Sequence, residues 1–474
     1  MGVKKNFGYN LILTFCNYLF PLITYPYISR VLGVELIGAC GFVDSIINYF
    51  ILFSMLGVGS YGVREISRCG DDLQRRSAVF SSLVTLNGLF SILAVIVLVV
   101  CTFTLPQLSE YKEFLGIGVV KLIFNLFLIE WFFQGIEQFK YITVRSVIIR
   151  SIYVLSILLF VKSRHDVYLY YGLTSAIVVI NSIINWGYSR KFRTFSFKYV
   201  NLRLFIAPVI TFGYYRLLTS MYTTFNTTFL GFSSGDVEVG YFSTATKLYS
   251  IIMGVFSAFT TVMVPRVSMM LAKKDLNGIQ KVADKTFEIL YLVGVPIIIF
   301  CQFFAPQIIY LIAGPGYEGA ILPFRVVIFL LLVIGMEQIV IQQFLMASNS
   351  KRSIVYVSTV GAVTGVVLNF LITPHIGAIG SAISWCISEV MVLAVGIALM
   401  TKHLSVAINW SHLLKITAGG SVYIALAAVL YMTLSPWVAM AASMAVMSVA
   451  FIYLSIRLHK SAVVTDMMSK FLRR

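Results

Sequence analysis

Apolar runs of membrane length are the feature that most constrains this sequence. Runs of about 20 residues, the length that a helix needs to cross a bilayer, recur from one end of the 474-residue chain to the other. Inside a bilayer every backbone polar group must be satisfied within the protein, so only helices and closed barrels can span it. The runs are more continuous than barrel strands, which alternate over about 10 residues. The sequence therefore predicts an all-α polytopic membrane protein.

Composition agrees with this prediction. The chain is 59% hydrophobic and 12% charged, about half the charge of a soluble domain, which is about 25%. Its formal charge of +17 is spread over short loops, without the basic block that would indicate nucleic-acid binding. The six cysteines have no paired spacing and predict neither a disulfide framework nor a metal site.

We predict fourteen spans with both termini in the cytoplasm. Most of the 36 lysines and arginines then fall in short inside segments, which is the bias that sets membrane orientation. The predicted spans are 8–29, 36–61, 77–102, 114–136, 146–161, 168–188, 207–231, 240–263, 287–313, 323–346, 353–373, 378–400, 416–434 and 437–456.

A weak repeat relates the segment 25–64 to one 202 positions later. The shift places Gly33 on Gly235, Gly38 on Gly240 and Arg64 on Arg266. Six spans separate the copies, and an even number gives both the same orientation, which is typical of parallel lobes. The sequence therefore predicts two pseudo-symmetric six-helix lobes, followed by an added hairpin and a basic tail. Their predicted bounds are 1–205, 206–400 and 401–474.

Motifs of soluble enzymes are absent from the sequence, and we predict no enzymatic activity and no catalytic residue. Residues 314–319 fit the pattern GxGxxG. A dinucleotide fingerprint needs a strand before it and a helix after it, whereas this segment follows a predicted membrane helix and contains a proline. We interpret it as an outside loop.

Polar stripes with one cation each mark two adjacent spans. Charge within a span is costly and is therefore a functional hypothesis. The 3–4 spacing would place each set on one helical face and predicts the wall of a water-filled cavity. Alternatively, the hydroxyls join helices while the arginine extends to the membrane surface. The stripes are Arg216, Thr219, Thr223 and Thr227 on span seven, and Ser243, Lys247 and Ser250 on span eight.

Four acidic residues, Asp44, Glu130, Glu337 and Glu389, also fall within spans. A carboxyl group in the membrane can carry a coupling proton, bind Na⁺, or pair with a cation that offsets its desolvation. No second acid flanks Glu337 or Glu389 in the sequence, so pairing is slightly favoured over ion coupling. Apart from H⁺ or Na⁺, we predict no cofactor.

Two segments resemble polysaccharide flippases, the Wzx-like branch of the MATE/MOP exporter superfamily. They are residues 25–33 with Gly38, and residues 369–374 with Gly377 and Gly380; the loop from Gly314 to Tyr317 is also similar. The resemblance implies two six-helix bundles forming a V around a central cavity. It also implies flipping, by alternating access, of undecaprenyl-pyrophosphate-linked oligosaccharides for O-antigen or capsule across the bacterial inner membrane. The extra pair of spans resembles the lipid II flippase branch, so a lipid II-type flippase is an alternative function.

A pyrophosphate substrate would need cations within the membrane, where opposite charges attract strongly. The expected partners are this lipid-linked substrate, membrane lipids, and a polysaccharide polymerase with its chain-length regulator. Two other hypotheses stay open: a MATE-type drug or cation antiporter, which would use lumenal carboxylates, and a membrane-embedded polymerase or acyltransferase, which usually needs a large outside loop. The candidate substrate-binding cations are Arg216, Lys247, Arg30, Arg64, Lys121 and Arg266.

Overall fold

The computed structural model describes residues 3–273, 275–346, 351–404 and 406–457, and these contain helices and no strand. A π-helix, Gln338–Leu345, follows the fourteenth α-helix directly. The α-helices are α1 Val3–Met55, α2 Val58–Cys69, α3 Leu73–Thr104, α4 Pro106–Ser109, α5 Lys112–Asn125, α6 Glu130–Gly135, α7 Phe139–Phe160, α8 Val167–Ser189, α9 Leu202–Ser220, α10 Thr224–Ser234, α11 Asp236–Ala272, α12 Leu276–Ala313, α13 Ile321–Val327, α14 Leu330–Glu337, α15 Lys351–Leu404, α16 Trp410–Thr433 and α17 Pro436–Arg457.

Ten helical segments in the described part of the chain are long and apolar enough to cross a membrane, or eleven if α9 and α10 form one bent span. The predicted all-α polytopic fold is thus confirmed. Two helices are far longer than a bilayer: the 53 residues of α1 would extend roughly 80 Å at 1.5 Å per residue. Helix α1 is kinked at Gly33 and α15 at Ile376 and Gly377, and each kink lies between two predicted spans. The total of fourteen spans stays a prediction.

The glycines that the 202-residue shift pairs have matching backbone conformations. Gly33 has φ 80° and ψ 170°, and Gly235 has φ 84° and ψ 179°. This region of backbone space is essentially restricted to glycine. The chain therefore turns in the same way at equivalent positions of the two copies.

At the second pair of glycines, Gly38 and Gly240, the backbones of the two copies are in direct contact. A Cβ atom on Gly38 would lie 1.7 Å from the carbonyl oxygen of Asp236 and 2.9 Å from the Gly240 nitrogen. A Cβ atom on Gly240 would lie 2.3 Å from the carbonyl oxygen of Val34. The two copies of the repeat thus pack against each other where neither has a side chain.

The chain divides into two compact units. The first comprises Met1–Ser243 with Gly365–Ser381, and the second comprises Thr244–Thr364 with Ala382–Arg474. An aromatic cluster that includes the fully buried Phe80, Phe132 and Phe133 forms a core of the first unit. The predicted division into lobes at 205 and 400 follows the sequence repeat and stays a prediction.

The basic segment between α8 and α9 lies against α3 in the first unit. Arg193 is buried, with its guanidinium 4.1 Å from the Phe80 ring and 4.2 Å from the Trp186 ring. Burial, together with the charge of Arg190, lowers the pKa of Arg193 to about 10, so the side chain is still charged at neutral pH. Three backbone amides of the segment donate to serine hydroxyls of α3: Thr194 to Ser77 (2.9 Å), Ser196 to Ser81 (3.2 Å) and Asn201 to Ser82 (3.0 Å).

Candidate functional site

Arg64 lies where α2 and α9 pack together in the first unit. The guanidinium carbon is 4.8 Å from the centre of the Tyr61 ring and 5.2 Å from that of Phe212. Its Nη2 also lies 3.1 Å from Glu65 Oε1, and the side chain is 39% exposed. The Arg64 guanidinium therefore packs against two aromatic rings, and its side chain remains accessible.

Arg216 lies on the same surface, one helical turn after Phe212. Its Nη1 is 3.7 Å from the position that a Cβ atom on Gly59 would occupy, so the guanidinium lies over a part of α2 that has no side chain. Arg216 is exposed, and no acidic side chain of the described residues forms an ion pair with it. The structure thus brings two of the six predicted cations, Arg64 and Arg216, to one surface, which we call the α2–α9 surface.

The other four predicted cations are placed differently. Lys121 is paired with Asp44, and Arg30 donates to a backbone carbonyl of its own helix at 2.6 Å. Lys247 is half-buried on α11 in the second unit. The side chain of Arg266 is outside the part of the chain that the structure describes. Convergence of Arg216 and Lys247 on one chamber stays a prediction.

The stripe predicted for span seven does not run along one continuous helical face. Helix α9 ends at Ser220, α10 begins at Thr224, and the two are bent by 50°. The prediction of a single face from Arg216 to Thr227 is therefore wrong, because the spacing was counted on an unbroken helix.

The hydroxyls of the stripes bond largely to their own backbone. Thr219 and Thr223 donate to the carbonyls four residues earlier, at 3.1 and 3.0 Å, and Ser250 does the same at 2.7 Å. Such bonds satisfy a hydroxyl inside an apolar helix. Thr227 and Ser243 are half-buried. A cavity wall formed by these five residues stays a prediction.

Two of the four predicted acids form ion pairs in the first unit. Asp44 pairs with Lys121, and Glu130 Oε1 lies 2.5 Å from Arg145 Nη2. The Arg145 side chain is only 4% exposed and also donates to Asn185 Oδ1. Arg145 lies just before the predicted span five, 146–161, whereas α7 begins at Phe139. An earlier start for that helix would have placed this cation inside it.

The other two acids lie together in the second unit, with no basic partner among the described residues. Glu389 is buried and Glu337 is half-buried, the two carboxyl groups are close enough to interact electrostatically, and Trp385 Nε1 donates to Glu389 Oε1 at 2.8 Å. Two neighbouring carboxylates repel each other when both are charged. For Glu337 and Glu389 the slightly favoured pairing with a cation has no partner among the described residues, because α14 and α15 bring together two acids that are distant in sequence.

The surroundings of this carboxyl pair leave polar atoms without partners. Oε2 of Glu337, Oε2 of Glu389 and both amide atoms of Gln343 are buried without a hydrogen bond among the described residues. Glu337 is the last residue before the π-helix, an element that often occurs at functional sites. The arrangement can hold a proton and has acceptor oxygens for a small cation.

Solved structures show which fold this chain shares. "Lipid II flippase MurJ, inward closed conformation" has a TM-score of 0.80 at 13% identity, covering 95% of this chain and 99% of that one. The inward-facing conformation of a multidrug resistance MATE family transporter of the MOP superfamily has a TM-score of 0.61 at 16% identity, covering 82% and 94%. The chain has the fold of this transporter superfamily.

Sequence relatives identify the family. The family model described as "Polysaccharide biosynthesis protein" matches residues 3–271, more than half of the chain, and the MatE model matches residues 214–371. The chain is 24% identical to the "Putative O-antigen transporter" of Escherichia coli (strain K12), over 83% of this chain and 95% of that protein. The protein of the same description from Shigella dysenteriae is also 24% identical, over 82% and 98%.

The chain therefore belongs to the polysaccharide biosynthesis protein family and is a Wzx-like flippase of the MOP superfamily. The family and its relatives are transporters and not enzymes.

Proposed function

We propose that this flippase moves undecaprenyl-pyrophosphate-linked oligosaccharide repeat units, for O-antigen or capsule, from the cytoplasmic to the outer leaflet of the bacterial inner membrane. Transport proceeds by alternating access, with both termini in the cytoplasm. A polysaccharide polymerase and its chain-length regulator then receive the product. Family membership supports the flippase function, and the accessible arginines of the α2–α9 surface are the observation that supports an anionic lipid substrate.

The chemistry of this surface suits a pyrophosphate headgroup. Arginine presents several N–H donors in a planar fork that matches phosphate oxygens. Arg216 has no acidic partner to displace among the described residues, and Tyr61 and Phe212 supply apolar area beside Arg64. We propose that Lys247, Arg30 and Arg266 contact the pyrophosphate headgroup at other stages of transport. Lys121 contacts the headgroup only after its ion pair with Asp44 has broken.

Replacing Arg216 by alanine tests the proposal. A lost hydrogen bond to a charged group costs about 1.5–3 kcal/mol, so we expect Arg216→Ala to reduce surface glycan at least about tenfold in a deletion strain. Lys247→Ala is expected to act in the same direction. The measurement is surface glycan, with undecaprenyl-linked intermediates in parallel, since a completed unit should accumulate on the inner leaflet.

Arg203→Ala is the matched control, because Arg203 is an exposed arginine near the start of the same helix α9. It should export normally. Normal export in both Arg216→Ala and Lys247→Ala, at wild-type protein level, would remove the proposed role of these cations. A deletion strain that gained drug sensitivity without a glycan defect would instead favour the antiporter hypothesis.

We further propose that H⁺ drives the cycle through the carboxyl pair Glu337 and Glu389. Asp44 and Glu130 already have cationic partners, whereas this pair has no basic partner among the described residues; in this proposal it binds a proton and releases it when the site opens to the other side. In proteoliposomes with a pH gradient and a pH-sensitive dye, Glu337→Gln and Glu389→Gln should abolish substrate-dependent proton movement. The exposed Glu35→Gln is the control. Dependence on a Na⁺ gradient alone would replace H⁺ by Na⁺ as the coupling ion.

A further inference from the structure

A preformed pocket lies in the second unit, and neither the candidate cations nor the carboxyl pair line it. It has a volume of about 320 Å³, near the lower end of the roughly 300–1,000 Å³ that small-ligand sites occupy. The end of α12, the loop after it and the start of α17 form the pocket. The lining residues that matter here are Pro306, Gln307, Tyr310, Glu318, Pro436 and Trp437.

Two aromatic rings form a corner of this pocket. The ring centroids of Tyr310 and Trp437 are 5.9 Å apart with their planes at 64°, and the residues are 52% and 45% exposed. Rings of this kind combine a large apolar face with a polar tip. The apolar C–H face of a sugar ring can pack on such a surface while its hydroxyls reach polar atoms nearby.

A buried amide supplies one of those polar atoms. Gln307 is only 8% exposed, lines the pocket, and its Oε1 has no hydrogen-bond partner among the described residues. An unsatisfied buried acceptor costs about 1–3 kcal/mol, so a ligand hydroxyl that donated to it would remove an existing penalty. At the rim, Glu318 Oε1 accepts the Gly316 N–H at 3.1 Å, which holds the carboxylate in place.

The backbone around the pocket is constrained before any ligand arrives. Helix α12 is kinked at Phe304, two residues before Pro306, as expected when a proline interrupts the hydrogen bonds of a helix. Gly314 and Gly316 have φ of 89° and 85°, and Pro436 begins α17. A site fixed in this way loses little conformational entropy on binding.

We propose that this pocket is a carbohydrate-binding subsite that takes one or two sugar rings of a glycan at the outer face of the membrane. The proposed function supplies the glycan, and the predicted topology places the loop after span nine outside. The site would hold the sugar end of the substrate as it emerges. A purely structural pair of interfacial aromatics would explain the rings, but it would leave the unpartnered buried amide oxygen of Gln307 unexplained.

Binding of a soluble glycan to the full-length protein tests this subsite. The protein is placed in phospholipid nanodiscs without maltoside or glucoside detergent, since sugar headgroups would compete. The probe is the repeat-unit oligosaccharide released by mild acid from the lipid-linked intermediates of the producing strain. Calorimetric titration should show saturable binding to the wild type, at least tenfold weaker binding to Trp437→Ala and Gln307→Leu, and no binding of glycerol.

The variants separate loss of binding from loss of folding. Gln307→Leu removes an unsatisfied polar group at nearly constant size and should fold at least as well as the wild type. Trp410→Ala removes another exposed tryptophan (48%) at the start of α16, away from the pocket, and should bind normally. Wild-type binding in Gln307→Leu, or no saturable binding by the wild type, overturns the proposal.

Two further results keep this inference distinct from the proposed function. If the deletion strain accumulates the lipid-linked glycan but the purified protein does not bind the free oligosaccharide, the subsite is wrong and the flippase function stands. If the protein binds the oligosaccharide and the deletion strain exports glycan normally, the flippase proposal fails while the subsite stands.

Discussion

Alanine at Gly38 is expected to destabilise the first unit strongly. The added Cβ atom would lie 1.7 Å from the carbonyl oxygen of Asp236 and 2.9 Å from the nitrogen of Gly240, both of which are backbone atoms that cannot rotate away. Overpacking typically costs about 1–3 kcal/mol and occasionally more, and a backbone clash this short belongs to the upper end. Against a total stability of about 5–15 kcal/mol, we expect a large fall in folded yield and melting temperature.

The measurement is the monodisperse yield and the melting temperature of detergent-solubilised protein. Gly172→Ala is the matched control, because a Cβ atom on this helical glycine of α8 would meet nothing within 4 Å. It should be neutral or stabilise the protein by up to about 1 kcal/mol. Equal yield and melting temperature for Gly38→Ala and wild type would show that the two turns are not in backbone contact.

Leucine at Arg145 is expected to destabilise the protein strongly by leaving Glu130 without its partner. Removing one member of a buried ion pair costs about 3–5 kcal/mol. The Arg145 side chain is 4% exposed but that of Glu130 is 37% exposed, so we expect a loss of at most about 3 kcal/mol. The loss also breaks a contact with Asn185, whose amide donates to the carbonyl of Leu128 and so ties α8 to the turn before α6. The expected result is a lower melting temperature and lower folded yield.

A second variant distinguishes loss of the ion pair from loss of side-chain packing as the cause of the instability. Arg145→Leu combined with Glu130→Gln removes both charges, and it should recover most of the stability, since replacing a whole buried ion pair by neutral groups is often tolerated. Arg190→Leu, at an exposed arginine, should have little effect. If the single and the double variants were equally unstable, loss of side-chain packing would be the main cause, and the ion pair would be secondary.

The features that sequence predicted correctly depend on local composition. Apolar length alone identified the membrane helices, and the shift of 202 positions found glycines that share a rare backbone conformation. A repeat of this kind is visible in the sequence because only glycine tolerates that conformation. The resemblance of residues 25–33 to polysaccharide flippases also identified the family correctly.

The features that were missed depend on contacts between distant segments. Nothing in the spacing of Arg216 and Thr227 shows that the helix ends at Ser220, because no proline or glycine marks the break. Glu337 and Glu389 come together only through packing of α14 and α15. The pocket at Tyr310 and Trp437 combines residues that are far apart in the sequence, and the pattern of its loop indicates an outside loop and a family resemblance but no ligand site.

The contact between Gly38 and Gly240 also decides where spectroscopic reporters can be attached. Neither glycine can be replaced by cysteine for labelling, because even a methyl group has no room there. Gly116 and Gly187 lie in helices of the first unit and would meet nothing within 4 Å, so a label fits at either. Cys16, Cys101 and Cys386 are partly exposed and should be replaced first, so that a dye reports from a single position.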